Sequence, residues 1–357
     1  MPLPHQPALS RRRMLQLSAL GAGVLLSRAW QGEAHAAGQS TGALRIALIS
    51  DLNSSYGSTH YVPQVARGVE LLLSLRPDLV LCAGDMVAGQ KAGLSQAQLD
   101  AMWASFADRV LAPLRSAGIP FAPAMGNHDA SSSRRNGAFA FALDRQRAQA
   151  FWRPRAASLG LNVVEGAAFP FRYSLLEGGV FTLVLDASSA TLDAEQLAWA
   201  EQQLGTPAAR SARLGLVVGH LPLYAVSQGR DRPGEVLDQP ERLRQLLERH
   251  GVSAYISGHH HAYFPSRVGR LNLLSLGAMG SGPRRLLQNP PAPSQSLTLL
   301  ELPAAGSSAT TADATTARET TYDLNTLRPI PPNALPQALQ PSRGPRLPRR
   351  EPGLPLS

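Results

Sequence analysis

The 357 residues are long enough for one large domain or two small ones, and 44% hydrophobic composition argues for a packed core rather than disorder. The net charge of +9 sits mostly at the ends: residues 1–36 carry +3 and residues 328–357 carry +4, leaving +2 for the body. A near-neutral body argues against nucleic-acid binding, and a single cysteine, Cys82, excludes an internal disulfide.

Ser10-Arg11-Arg12-Arg13-Met14-Leu15-Gln16 precedes an apolar run over residues 17–26 and the small-residue stretch Ala34-His35-Ala36. This is the layout of a cleavable secretory signal over residues 1–36, and the adjacent arginines resemble a twin-arginine (Tat) signal. The apolar run is too short to span a bilayer comfortably. The expectation is a mature chain that begins near Ala37, is exported through the Tat machinery to the periplasm or beyond, and keeps no stable membrane anchor.

The body alternates strands and helices. Residues 44–50 read as a strand that ends at Asp51-Leu52-Asn53, and helical spacing follows over 62–75. Residues 79–83 form a second strand, ending at Gly84-Asp85. Ser95 caps a helix predicted to run to about Arg115, with Gly118 closing it. A third strand, from Ile119, leads into Gly126-Asn127-His128-Asp129. Residues 130–158 are polar and Arg-rich, with a helix near 139–159, and read as an insertion suited to a lid. Within it Arg134 and Arg135 have the bidentate fork that suits a phosphate.

Further strands are expected at 163–164, 169–176, 180–185, 214–218, 252–256, 271–276 and 297–302, and helices at 192–204 and 241–250. The strand at 214–218 ends at Gly219-His220, and that at 252–256 runs into Gly258-His259-His260-His261. On an extended segment His259 and His261 face one way and His260 the other. Residues 37–303 are taken as one domain. An Ala/Ser/Thr-rich segment (304–328) and a Pro/Arg-rich tail (329–357) follow, and the tail is expected to be disordered.

Alternating strands and helices imply parallel pairing and a layered α/β fold, with chemistry at the strand ends. Asp51, Asn53, Asp85, Asn127, His128, His220, His259 and His261 are all strand-end groups. Carboxylate, amide and imidazole together suit divalent metals such as Mn²⁺, Fe²⁺ or Zn²⁺, and eight donors are too many for one ion. Two ions about 3.5–4 Å apart are a known device for clamping both oxygens of a displacement.

Asp51-Leu52-Asn53, Gly84-Asp85, Gly126-Asn127-His128-Asp129, Gly219-His220 and Gly258-His259-His260-His261 come in an order that resembles the calcineurin-like metallophosphoesterases, over roughly residues 44–300. The resemblance implies a β-sandwich flanked by helices and a dinuclear phosphoric ester hydrolase, with metal-bound hydroxide as nucleophile and a small phosphorylated substrate. It implies that Asp85 bridges the ions, that Asp51 and His261 hold the first, and that Asn127, His220 and His259 hold the second. His128 would protonate the leaving oxygen or steady the transition state, with Asp129 as its partner. The family usually has a histidine where this chain has Asn53. The expectation is therefore a looser first site that leans towards Mn²⁺ or Fe over Zn²⁺. The alternative is an exported binding protein of the same fold with little turnover. Specificity is expected in loops 54–61, 130–158, 223–238 and 262–266, with Tyr56, Tyr224 and Tyr263 as candidate substrate contacts.

Overall fold

A computed structural model describes residues 43–288, 291–304 and 316–355. The expected signal at 1–36 lies outside them. Among the described residues no helix is long and apolar enough to cross a membrane.

The chain enters through β1 (Leu44–Ile49), crosses by the helix Pro63–Leu75 to β2 (Leu79–Cys82), and crosses again to β3 (Phe121–Pro123). β1, β2 and β3 pair in parallel. A short hairpin, β4 (Arg134–Arg135) with β5 (Ala138–Phe139), and the helix Ala142–Trp152 fill the Arg-rich insertion. A second sheet begins with the meander β6 (Val163–Glu165), β7 (Tyr173–Glu177) and β8 (Val180–Val184). It continues in parallel through β9 (Leu214–Val218) and β10 (Ala254–Ser257). β11 (Phe264–Val268) and β12 (Leu271–Ser275) complete it, β12 lying parallel to β10. The chain then returns to the first sheet: β13 (Ser296–Leu302) runs antiparallel to β1, and β14 (Thr316–Asp323) antiparallel to β13. Each sheet has seven strands, in the orders β15-β14-β13-β1-β2-β3 and β11-β12-β10-β9-β8-β7-β6; β15 is Arg328–Pro329, and β18 (Leu354–Pro355) completes the first sheet by pairing with β14. This is the layered α/β architecture expected.

Leu79–Cys82 and Ala254–Ser257 are buried along their whole length, because helices and a second sheet cover both faces. Tyr173 ties the two sheets, its hydroxyl donating to the Pro123 carbonyl at 2.9 Å. An aromatic cluster of Trp103, Phe106, Phe121, Phe151 and Trp152 seats the insertion helix against the first sheet. Because β1, β2, β3, β9 and β10 are parallel within their sheets, the five polar motifs all follow strand C-terminal ends.

The structure departs from the expected elements in several places. The helix after Ser95 is not uniform. Its capping box with Gln98 is present, but it gives way to a π turn over Ala107–Leu111 before Ala112–Ser116. Pro113 has no N–H to continue an α-helical ladder, and the wider turn accommodates that loss. Residues 262–266, expected as a loop, run into β11, and the Thr-rich segment beyond the last expected strand supplies β14.

The tail is ordered through residue 355. It forms a short strand pair, β16 (Ala338–Leu339) with β17 (Leu347–Pro348), and β18 pairs with β14. Composition misleads here because Leu335, Leu339, Leu347 and Leu354 each bury against the body. Proline costs little where no ladder N–H is needed. Arg350 reaches inside to Glu319, which also accepts from the Tyr263 hydroxyl at 2.7 Å. Glu319→Ala would leave that guanidinium buried and unpaired. It is expected to cost about 3–5 kcal/mol, measured by urea unfolding. A loss below about 1 kcal/mol would mean the tail is not anchored this way.

Candidate metal centre

Asp51, Asp85, His259 and His261 all have positive φ, at 53°, 57°, 64° and 51°. Non-glycine residues in this left-handed region cost about 1–3 kcal/mol each and cluster at functional sites. Strand geometry therefore stops at each motif. His259 and His261 are separated by turn geometry, not presented side by side on an extended segment.

The motif glycines allow the backbones to close in. A Cβ at Gly126 would lie 2.1 Å from Asp85 Oδ1, and one at Gly258 would lie 1.9 Å from Ser50 Oγ and 2.6 Å from Asp51 Oδ2.

Two three-residue groups result, one of Asp85, His220 and His259, the other of Asp51, Asp85 and His261. Within each, the candidate ligand atoms lie within 4.8 Å of one another. Asp85 belongs to both. Asn127 joins the first group, with its Oδ1 2.8 Å from His220 Nε2. Its Nδ2 donates to Gln90 Oε1 at 2.5 Å, so the oxygen is the end turned inward.

The ring contacts fix which nitrogens remain. His220 Nδ1 lies 2.8 Å from the Ala83 carbonyl, which only accepts, so Nδ1 carries a proton. Nε2 then faces Asn127 Oδ1 and Asp85 Oδ2, the latter at 3.3 Å. A neutral ring would put three sets of lone pairs together. A proton or a metal cation must lie among them. In the same way His261 Nδ1 donates to the Gly282 carbonyl at 2.9 Å, leaving Nε2 3.2 Å from Asp51 Oδ1. His259 Nε2 is taken by Glu235 at 2.9 Å, leaving Nδ1. The donor set thus fits divalent cations, with each imidazole oriented from behind by an oxygen.

The electrostatics point the same way. Burial alone would raise the Asp85 and Asp51 carboxyls, but His220 at Asp85 and His261 at Asp51 outweigh it and hold both below the ordinary range. Burial opposes the His220 imidazolium, yet Asp85 lifts its pKa to about 9. Burial lowers His259 to about 4, keeping that ring neutral and ready to ligate.

Asn53 is 4% exposed, and its carboxamide makes no hydrogen bond among the described residues. The backbone around it is fixed, its N–H donating to the Asp85 carbonyl at 3.1 Å.

His128 lines the cavity above these groups. Its N–H donates to Asp85 Oδ1 at 2.8 Å, its Nδ1 lies 3.1 Å from the Gly89 carbonyl, and the exposed Tyr56 ring rests 4.8 Å from its own. Asp129 is not the partner of this ring. Its carboxylate accepts from the N–H groups of Asp85, Met86, Val87 and Gly126 at 2.8–3.0 Å. It braces the two loops that carry the donors; burial and the nearby Asp85 charge raise it to about 7.

His260 turns away. Its ring accepts from the Val226 N–H at 3.1 Å and faces the Glu235 carbonyl at 3.0 Å. Arg134 lines the cavity but stacks on Phe139, and exposed Arg135 is not part of its wall. Tyr224 and Tyr263 are buried in hydrogen bonds to Glu241 and Glu319, so of the three tyrosines only Tyr56 faces the cavity. Glu235, Arg230 and Arg284 were not singled out from the sequence, although 223–238 was marked as a functional loop; they form the wall beside His259. The cavity measures about 1010 Å³.

A family described as calcineurin-like phosphoesterase matches residues 44–263. Among solved structures, a purple acid phosphatase from yellow lupin (Lupinus luteus) seeds is similar, with a TM-score of 0.61 and 14% identity, over 82% of this chain and 53% of that one. A dimetal phosphatase from Danio rerio matches with a TM-score of 0.51 and 14% identity, over 79% of this chain and 97% of that one. At such identities the likeness is one of fold, and this chain spans about half the length of the lupin enzyme. No curated protein matches the sequence.

In the metal-free protein His220 titrates at about 9 when folded, against 6.5 ordinarily. A raised folded pKa stabilises below the unfolded pKa, and that stabilisation is lost as pH rises through the folded one. Metal-stripped protein is expected to lose about 2 kcal/mol of unfolding free energy between pH 7 and pH 9, measured by denaturant melts. A flat profile would show that His220 does not hold the proton between Asp85 and Asn127.

Proposed function

The chain belongs to the calcineurin-like phosphoesterase family, and from that membership we propose that it is a metal-dependent phosphoric ester hydrolase with two divalent ions. One observation carries the reading: a single carboxylate, Asp85, lies within ligand reach of both donor groups. Asp51 and His261 would hold one ion with Asp85, and Asn127, His220 and His259 the other. Asn53 is the remaining buried donor near the first. Bound ions would neutralise the phosphoryl oxygens and supply a water-derived nucleophile near neutral pH.

The chain's own residues do the rest. Asp85 is held by the His128 N–H and by the Asp129 brace, so its oxygens do not wander when the ring above them moves. His128 keeps its Nδ1 against the Gly89 carbonyl. The only ring atom left for proton exchange is Nε2, at the cavity wall, and the proton for a leaving alkoxide is assigned there. Gln90 fixes the Asn127 amide so that it presents oxygen, not N–H, to the centre. Glu235 steadies His259 in the same way.

Mature protein stripped of metal and refilled with Mn²⁺ is expected to hydrolyse a generic phosphomonoester or phosphodiester only in the refilled form. His128→Ala should lower kcat by about 10²–10⁴-fold without releasing metal. Turnover that survives stripping contradicts the proposal. Two ions bound with no turnover on any ester would favour the binding-protein reading instead.

A further inference from the structure

Six arginines line the cavity, and their partners differ. Arg145 pairs with Asp186 at 2.7 Å, Arg172 with Glu195 at 2.5 Å, and Arg230 and Arg232 share Glu235. Arg134 donates to the Gly137 carbonyl at 2.8 Å and lies over the Phe139 ring. Arg284 alone among these six gives its guanidinium to nothing within the described residues, and its Nε is buried without a partner.

Its position is fixed all the same. The Arg284 N–H donates to the His261 carbonyl at 3.0 Å, which ties the residue to the backbone of a candidate metal ligand. A Cβ at Gly229 would stand 3.8 Å from Arg284 Nη1, so the fork lies beside the loop that carries Arg230. Arg230 in turn comes within 3.3 Å of His259 Nε2. The residue therefore sits on the backbone of His261 and lines the same cavity wall as Arg230 and His259. Burial and the Arg230 charge lower its pKa from the ordinary value, and the Glu235 and Asp51 carboxylates, which do not pair with it directly, offset this only in part.

A partly buried guanidinium with no direct ion pair or hydrogen bond costs free energy unless an anion completes it. The anion this cavity would receive, on the reading above, is a phosphoryl group. Guanidinium binds two oxygens of such a group at once. A monoester has one more terminal oxygen and, at neutral pH, one more negative charge than a diester. We propose that Arg284 binds the terminal phosphoryl oxygens and makes the chain selective for phosphomonoesters over phosphodiesters. This inference rests on the ester-hydrolase reading for its substrate, but its binding half is testable without turnover.

The test compares wild type, Arg284→Ala and Arg284→Lys in the Mn²⁺-loaded protein. The substrates are 4-nitrophenyl phosphate and bis(4-nitrophenyl) phosphate, with inorganic phosphate as a separate ligand. Losing a charge-assisted bidentate contact should lower monoester kcat/KM about 10- to 100-fold, and diester kcat/KM about threefold or less. Phosphate binding, read by calorimetry, should weaken about tenfold or more, and lysine should restore part of both. Equal losses on the two esters, or unchanged phosphate binding in Arg284→Ala with metal content retained, overturns the inference and leaves the hydrolase reading standing. If wild type cleaves neither ester, the hydrolase reading fails. Phosphate binding then decides alone: weakened binding keeps Arg284 as a phosphate site, and unchanged binding removes it.

Discussion

The fold around the site depends on one carboxylate. Asp85 closes a fully buried strand, bends into the left-handed region, and puts its oxygens within reach of His220 and His128, its carboxylate being the one shared by the two donor groups. Buried carboxylates, an amide oxygen and imidazole lone pairs do not converge without a cation to hold them. The proton on His220 serves that purpose in the metal-free chain, and divalent ions would serve it better because each can take several donors where a proton takes one or two.

Much of the surrounding structure reads as support for that convergence. Gly126 and Gly258 let backbones approach Asp85 and Asp51 more closely than any side chain would allow. The Asp129 carboxylate gathers four N–H groups from the loops after β2 and β3, so both loops move as one body. Behind the imidazoles stand the Ala83 and Gly282 carbonyls and the Glu235 carboxylate, each deciding which nitrogen is left for the centre. The tail closes over β14, and Ser342 donates to Asp231 at 2.6 Å, linking it to the loop that carries Arg230 and Glu235.

The layered α/β fold and the meeting of Asp51, Asp85, Asn127, His220, His259 and His261 were legible because buried parallel strands are apolar runs that stop at their polar ends. What the sequence hid were contacts formed between distant segments. The resemblance made Asp129 a histidine partner, whereas its true partners are N–H groups more than forty residues earlier and the nearby Gly126. Glu235 lies in an irregular loop, and no spacing relates it to His259. The tail looked disordered because composition counts prolines and arginines but not that each leucine meets a pocket and that Arg350 meets Glu319. Arg284 was invisible for the opposite reason: what distinguishes it from the other five cavity arginines is a missing partner.

The proposed chemistry turns on two ions sharing Asp85. The most direct measurement is metal content together with electron paramagnetic resonance on Mn²⁺-loaded wild type and Asp85→Ala. Two ions per chain with a spin-coupled signal are expected in wild type, with loss of the coupling and of at least one ion in the variant. One ion per chain, or two uncoupled ions unaffected by the substitution, would contradict it.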